Sequence, residues 1–201
     1  MKSALVLLAV TTNGSSAFAQ DWSGSYGGAT LSYDAIVLND VSYGYGPVDL
    51  NGAGFGAFVG HNFQSGNLVY GAELAFAKHR GEAFDGSHLQ PATALSSASL
   101  RGRIGFATGR MLPYLAVGAY RTKFEADHDG LGSPGNIMGE TANGTGLALG
   151  LDWTVSERSF LRVEVESIRY RNDTIGFGGG SDPHDYELDA RRLTVGYAIR
   201  F

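Results

Sequence analysis

The sequence contains no cysteine among its 201 residues. This absence excludes a disulfide framework, a thiol nucleophile and a cysteine-based metal site. The sequence also lacks any run of basic residues, and its formal net charge is −5, which argues against a nucleic-acid-binding protein. No stretch approaches the ~18 consecutive apolar residues that a transmembrane helix needs. If the chain spans a membrane, it must therefore do so with β-strands.

The first 19 residues have the three parts of a secretory signal peptide. Lys2 provides a basic start, residues 4–10 form a short apolar segment, and Ala-Phe-Ala at 17–19 fits a small-x-small cleavage site. We predict export through the Sec pathway and cleavage after Ala19. The mature protein is then a single domain over residues 20–201.

The clearest pattern is an alternation at the end of the chain. Large apolar residues occupy every second position: Leu193, Val195, Tyr197, Ile199 and Phe201. The positions between them are small or polar. A period of two predicts a β-strand with one apolar face and one polar face. The chain stops on an aromatic residue, and in a membrane barrel such a residue can lie in the interfacial girdle.

The same period predicts seven earlier strands, and these lie at 22–33, 51–63, 68–78, 96–107, 112–122, 143–153 and 160–170. The last strand begins near residue 187, and a change of phase at 167–170 predicts a bulge or a rim position there. Long connections (34–50, 79–95, 123–141 and 171–186) alternate with short ones. Strands of about ten residues with this alternation are typical of an eight-stranded, antiparallel, up-and-down transmembrane β-barrel with long extracellular loops and short periplasmic turns.

A soluble eight-stranded calyx would also alternate, but with its apolar face inward. Two features favour the membrane barrel. The face with large apolar residues is opposed by a face of glycine and charge, and aromatic residues lie near the predicted strand ends. These aromatic residues are Tyr33, Phe63, Trp153, Phe160 and Phe201.

Several segments resemble the proteobacterial outer-membrane β-barrel domain family, which includes opacity-type surface antigens and OmpA/OmpX-like barrels. They are the Trp-x-Gly-x-Tyr-x-Gly opening at 22–28 and the stretches 60–64, 69–73, 100–105 and 161–164. His61 departs from the pattern, because an aromatic residue such as Tyr is expected there. The resemblance covers nearly all of the mature chain and implies a location in the outer membrane.

The end of the chain also resembles the C-terminal assembly signal of bacterial outer-membrane barrels. The matching residues are Thr194, Gly196, Ile199 and Phe201. The resemblance implies that the β-barrel assembly machinery reads this signal, with periplasmic chaperones as further partners during biogenesis.

Nine charged residues fall on the predicted inward face. They are Glu73, Arg101, Arg103, Asp152, Arg162, Glu164, Glu166, Arg192 and Arg200. Charges inside a narrow lumen are costly unless they are paired, so we expect a salt-bridged core. A narrow ion path through the same charges is the alternative. A wide pore is not expected, because porins have about twice as many strands.

Catalysis, metal binding and cofactor binding have weak support. A lipid A-modifying enzyme would need a nucleophile, a histidine and a carboxylate within reach. Of the five histidines, only His61 falls on a predicted strand, while His79, His88, His128 and His184 fall in predicted loops. The segment 127–130 (Asp-His-Asp-Gly) is similar to part of a calcium-binding loop but lacks the later ligands of such a loop. We predict no catalytic residue, no metal and no cofactor.

These observations predict a monomeric outer-membrane barrel with a structural or surface-antigen role. Its four long loops would carry any function beyond envelope structure. Its partners would be outer-membrane lipid and lipopolysaccharide, and a small channel or a lipid A-modifying enzyme remain the alternatives.

Overall fold

The computed structural model describes residues 20–40, 48–83, 92–127, 137–171 and 186–201. They form eight strands: β1 (Gly24–Asp40), β2 (Val48–Ser65), β3 (Leu68–Ala83), β4 (Ala92–Phe106), β5 (Met111–Asp127), β6 (Ile137–Ser156), β7 (Ser159–Arg171) and β8 (Tyr186–Arg200). The strands pair in chain order and close into a barrel, which confirms the predicted fold. The described residues contain no helix long and apolar enough to cross a membrane. The predicted signal peptide at 1–19 lies outside the described residues.

The barrel closes where β1 pairs with β8. Their antiparallel register runs without a break from Tyr26↔Arg200 to Asp40↔Tyr186. Beyond the last strand, the amide of Phe201 donates a hydrogen bond to the carbonyl oxygen of Ser25 at 3.0 Å. The alternating C-terminal segment is therefore the closing strand, and it satisfies the backbone groups of β1 that an open sheet would leave unpaired.

Three tight turns lie at one end of the barrel, between β2 and β3, β4 and β5, and β6 and β7. Gly66 and Gly109 occupy two of these turns with φ of +59° and +55°, the left-handed region that glycine enters without a steric cost. In outer-membrane barrels the short turns lie at the periplasmic end. Following the predicted orientation, we call this end periplasmic and the opposite end extracellular.

Large apolar side chains point away from the barrel axis. Leu31 and Phe55 are each 64% exposed, and Leu149 is 63% exposed. We call the outward-facing apolar stretch of the strands, such as 55–63 on β2 and 193–201 on β8, the apolar belt. It covers about nine residues of a strand, close to the ~9–11 that a tilted strand needs to cross the hydrocarbon. The barrel has the membrane arrangement rather than the calyx arrangement.

Four of the five aromatic residues predicted near strand ends face outward: Tyr33, Phe63, Trp153 and Phe201. Phe160 instead lies inside the barrel and is 1% exposed. It shares the inward face with Arg162 two residues later, as the period of two requires. Phe160 does lie near the start of β7, but because it faces inward it does not count toward an outward aromatic girdle.

Glycines on the inward face make room for tyrosine rings on the neighbouring strand. Tyr26 is the register partner of Gly60, and Tyr114 is the register partner of Gly150. A Cβ atom at either glycine would overlap the ring of its partner. These glycines thus leave room for tyrosine rings inside a narrow lumen.

The strands are longer than predicted at the extracellular end. β1 continues to residue 40 rather than 33, and β3 continues to residue 83 rather than 78. The alternation of apolar and polar residues reports contact with hydrocarbon, whereas strand pairing continues into the aqueous region above it. The predicted strands therefore ended where the apolar belt ends.

The sequence predicts a bulge or a rim position at 167–170, and of these two alternatives the bulge is wrong. The register of β7 runs unbroken through this segment, with Ile168 and Tyr170 buried inside and Arg169 outside. The polarity of the two faces is exchanged because this part of β7 lies past the apolar belt. The observed irregularities are between Ala92 and Ala94 and between Thr154 and Ser156.

Candidate functional site

The lumen contains a continuous set of ion pairs that joins six of the eight strands. We call these residues the lumen network: Asp34, Glu73, His79, Arg101, Arg103, Asp152, Arg162, Glu164, Glu166 and Arg192. Their side chains are at most 11% exposed. Burial at this level requires each charge to be paired and hydrogen-bonded.

The periplasmic half of the lumen network centres on Arg162. Its Nε lies 2.8 Å from Asp152 Oδ1, and its Nη1 lies 2.7 Å from Glu73 Oε2. Arg103 reaches the other oxygen of Asp152, with Nη2 2.6 Å from Oδ2. The guanidinium groups also lie over aromatic rings, with Arg162 4.4 Å from the centroid of Phe58 and Arg103 3.8 Å from that of Tyr114. These cation–π contacts partly replace the water that each guanidinium loses.

Arg101 connects the two halves of the lumen network. Its Nη1 donates to Glu164 Oε1 and to Glu166 Oε1, both at 2.6 Å, and its Nη2 pairs with Glu73. β4 and β7 are not neighbours in the sheet, so these bonds cross the lumen.

Tyrosine hydroxyls donate further hydrogen bonds to the carboxylates. Tyr114 donates to Glu164 Oε2 at 2.6 Å, and Tyr120 donates to Glu166 Oε1 at 2.5 Å. Tyr26 donates to Glu73 Oε2 at 2.9 Å. The lumen network has five carboxylates and four guanidinium groups, and these neutral donors stabilise the larger number of carboxylates.

At the extracellular end of the lumen network, Asp34, His79 and Arg192 form a cluster. Asp34 Oδ2 lies 2.6 Å from His79 Nδ1, and Asp34 Oδ1 lies 2.5 Å from Arg192 Nε. Arg192 Nη2 lies 3.2 Å from His79 Nε2. Arginine can only donate, so Nε2 is the acceptor here and Nδ1 carries the proton that Asp34 accepts.

Sequence reasoning missed Asp34 and His79, because both fall in segments predicted to be loops. One signal could have found them. Asp34 continues the inward face of Thr30 and Ser32, and His79 continues the inward face of Glu73. Extending the period of two past the apolar positions places both residues in the lumen.

Arg200 does not belong to the lumen network, although the sequence analysis counted it there. Its Nη1 donates to the carbonyl oxygen of Asp21 at 2.8 Å, and its guanidinium lies 5.0 Å from the centroid of Trp22. The other eight predicted residues do meet in the lumen. Arg200 lies at the periplasmic end because β8 ends there, below the level of the lumen acids. Its Nη2 lies 3.3 Å from Thr154 Oγ1 and 3.3 Å from the carbonyl oxygen of Glu157, both near the β6–β7 turn.

Asp34, His79 and Ser97 have the order of a catalytic triad. Ser97 Oγ lies 3.1 Å from His79 Nε2, and His79 Nδ1 contacts Asp34. A general base needs a free lone pair on Nε2 to accept the serine proton. Arg192 donates to that same atom and is held in place by Asp34 and Glu166. We therefore interpret the cluster as structural.

The other histidines and the calcium-loop fragment are considered last. His61 lies on the outward face of β2, where its ring stacks edge-on against Phe63 at 4.8 Å. His88, His128 and His184 lie outside the described residues. In the described part of the chain, no group of three or more His, Asp or Glu side chains is placed to hold a metal ion. Most of the calcium-loop fragment at 127–130 is not described.

Comparison with known proteins identifies the family. A family model described as "Outer membrane protein beta-barrel domain" matches residues 4–201. The chain belongs to this family. Outer-membrane β-barrel domain proteins reside in the outer membrane, which is where the apolar belt and the closed sheet place this chain. The family assignment and the location were both predicted from the sequence, and both are confirmed.

Similar proteins within this class include the 25 kDa outer-membrane immunogenic proteins of Brucella. The Brucella canis protein is 27% identical over 185 residues, which cover 90% of this chain and 79% of the relative. The protein of Brucella abortus biovar 1 is 27% identical over 186 residues, with the same coverage of 90% and 79%.

Solved structures share the fold of this outer-membrane β-barrel domain. Neisserial surface protein A superposes with a TM-score of 0.58 at 16% identity, covering 89% of this chain and 98% of the other. Outer membrane protein AlkL superposes with a TM-score of 0.50 at 16% identity, covering 97% of each chain. At this identity, the likeness concerns the fold alone.

The four residues of the resemblance to an assembly signal lie on the closing strand or directly after it. Thr194 is buried in the lumen and Gly196 faces it, whereas Ile199 and Phe201 face outward and are 51% and 79% exposed. The outward pair is accessible from the membrane side at the seam with β1. Recognition of this segment by the assembly machinery stays a prediction.

Proposed function

We propose that this protein is a sealed, non-catalytic barrel with a structural and surface-antigen role in the outer membrane. The observation that carries the proposal is the filling of the lumen. Two layers of side chains occupy it one above the other, an apolar layer at the periplasmic end and the lumen network above that layer.

The apolar layer, which we call the periplasmic plug, consists of Trp22, Tyr26, Phe58, Val69, Ala107, Leu112, Phe160 and Ala198. Phe160 packs edge-on against Trp22 at 5.8 Å and against Tyr26 at 5.6 Å between ring centroids. Trp22 is 1% exposed and Leu112 is fully buried. An ion entering from the periplasm would have to displace these rings.

Above the periplasmic plug, the space left beside the lumen network is small. A cavity of about 40 Å³ lies against Arg101, Arg162 and Arg192. That volume has room for a few water molecules at most. An eight-stranded barrel is expected to have an interior that side chains fill. Both facts support a closed lumen over the ion-path alternative.

A surface-antigen role is supported by the relatives and by the barrel's shape. The similar Brucella proteins are named outer-membrane immunogenic proteins. In this chain, the strands extend beyond the apolar belt at the extracellular end, so they present polypeptide above the bilayer. A rigid barrel that displays variable connections is a common arrangement for surface recognition.

We propose that the barrel acts as a monomer. All eight strands pair with two neighbours, so the described sheet leaves no edge for a second copy to extend. Light scattering of the detergent-solubilised protein should give the mass of one chain plus its micelle, and a mass of two chains would contradict this.

Planar-bilayer recording on the refolded protein tests the sealed lumen. We expect no conductance steps above the lipid baseline, with an unrelated wide porin as the control that steps are detectable. Reproducible steps that change when Arg101 or Glu164 is substituted would favour the channel instead.

Expression in cells should also leave the mass of lipid A unchanged, and a new lipid A species that is absent with the S97A variant would establish an enzyme.

A further inference from the structure

Basic side chains collect on the outward face of the barrel near its extracellular end. The exposed cations described there are Lys78, Arg121, Lys123, Arg169 and Arg191, which we call the basic belt. The outward acid described in the same region is Asp189. Among the described outward side chains of this region, cations therefore outnumber acids, although the net charge of the chain is −5.

The basic belt begins where the apolar belt ends. Lys78 is the next outward residue after Phe76 on β3, and Arg121 is the next after Ala119 on β5. On β8, Arg191 is the next outward residue after Leu193. The cations therefore lie at the boundary between hydrocarbon and headgroups in the outer leaflet.

Three of the cations are neighbours on the sheet. Lys78 and Lys123 are register partners of Ser96 from opposite sides, so their backbones lie two strand spacings apart, roughly 10 Å. Arg121 lies two residues from Lys123 along β5, roughly 7 Å away. Their long side chains can reach a single headgroup.

A second group lies on β7 and β8. Arg169 Nε lies 3.3 Å from Asp189 Oδ1, and both side chains are more than half exposed. Arg191 follows Asp189 on the same outward face. An exposed pair of this kind contributes little to stability, so Arg169 keeps donors for another acceptor.

The described residues at the periplasmic end show no such excess. The exposed charged side chains described at the turns and the N-terminal segment there are Asp21, Arg110, Glu157 and Arg158. Acids and bases are balanced in this set. Among the described side chains, the basic belt is thus found at one end of the barrel only.

We propose that the basic belt binds the phosphate groups of lipid headgroups in the outer leaflet. A guanidinium matches a phosphate with two parallel hydrogen bonds, and a lysine ammonium adds a point charge. The belt lies at headgroup depth and faces the lipid, so a phosphorylated lipid meets it without leaving the bilayer. Bound lipid fixes the position of the barrel along the membrane normal. It also exchanges more slowly with the other lipids of the outer leaflet.

Native mass spectrometry of the refolded barrel in detergent tests this binding. The probes are bis-phosphorylated lipid A and the same lipid after removal of its phosphates, which separates phosphate binding from acyl-chain binding. We expect the wild type to retain the phosphorylated lipid more strongly. Affinity should fall by about fivefold for each cation removed in K78Q/R121Q/K123Q and in R169Q/R191Q.

The matched control is R110Q/R158Q, which removes two exposed cations from the periplasmic end. This variant should retain the wild-type preference. The heat-dependent shift on unheated gels confirms that each variant is folded. Equal retention of the two lipids by the wild type would overturn the proposal, and so would an equal loss in the control. Displacement of lipid A by an equal concentration of inorganic phosphate would show a site for free phosphate, which also overturns it.

Discussion

Arg162 on β7 pairs with Glu73 on β3 across the full width of the lumen, with Nη1 2.7 Å from Oε2. The two strands are not neighbours in the sheet, so no backbone hydrogen bond joins them. The same guanidinium holds Asp152 on the adjacent strand β6. One side chain thus joins opposite walls of the barrel, and this contact supports the proposed closed lumen.

Replacing Arg162 with methionine should destabilise the barrel by about 3–5 kcal/mol, because it leaves Glu73 and Asp152 buried with fewer partners. Urea unfolding in detergent, followed by tryptophan fluorescence, measures this change. Trp22 is a suitable reporter because it packs against Phe160, whose ring lies 5.7 Å from the Arg162 guanidinium.

The matched control for that substitution is Arg169→Met. Arg169 also pairs with an acid, but its side chain is 75% exposed. Breaking an exposed pair should cost less than about 1 kcal/mol. Equal losses in the two variants would mean that burial of the lumen network does not determine its contribution to stability.

The sequence predicts the architecture well because a membrane barrel has one simple constraint on every strand. Alternation at 68–76 and at 193–201 identifies both the strand and its lipid-facing side. Glu73 and Arg192 occupy positions of the opposite parity to the outward apolar residues, so the same alternation predicts that they face inward. Antiparallel pairing of β1 with β8 follows because an open edge is not viable in lipid.

The sequence fails where the membrane constraint ends. Asp34 and His79 lie on strands that continue above the hydrocarbon, where neither face needs to be apolar. Arg200 has the right parity for the lumen but lies at its mouth, and parity alone carries no information about depth. Cross-lumen partners such as Arg101 and Glu164 depend on barrel diameter and stagger, which a single sequence does not encode in a readable form.

Substituting Gly150 with alanine should destabilise the barrel by about 1–3 kcal/mol. A Cβ at this position overlaps the ring of Tyr114, which is 3% exposed and lies 3.8 Å below the Arg103 guanidinium. Displacing that ring also weakens its hydrogen bond to Glu164. The urea midpoint of G150A measures the loss.

Gly102→Ala provides the opposite case on the same sheet. No atom lies within 4 Å of a Cβ built at Gly102, which borders a lipid-facing hollow of about 450 Å³. Because glycine in a strand costs roughly 0.5–1 kcal/mol relative to alanine, G102A should be neutral or slightly stabilising. A loss as large as that of G150A would show that overlap with the Tyr114 ring does not explain the effect at Gly150.

Ser97 should not react with a serine-directed fluorophosphonate. Its hydroxyl lies near His79 Nε2, but Arg192 donates to that nitrogen, so the histidine cannot accept the serine proton. Intact-mass analysis of the folded protein after incubation with the reagent gives the answer, and the S97A variant shows the unlabelled mass. An adduct that maps to Ser97 would reverse our interpretation of the cluster.

Deleting Phe201 should slow assembly in cells more than it weakens the folded barrel. The Phe201 side chain is 79% exposed, so it contributes little packing, and the deletion removes one backbone hydrogen bond to Ser25, worth about 1 kcal/mol. If the assembly machinery reads the outward Ile199 and Phe201 at the seam, the loss appears instead in the rate at which new chains become folded.

Pulse-chase labelling with unheated gels measures that rate, and urea unfolding of the purified barrel measures stability. Phe106→Ala removes another outward aromatic residue, 55% exposed and away from the seam, and it should leave the assembly rate unchanged. Equal assembly rates with and without Phe201 would refute the role of this residue in recognition.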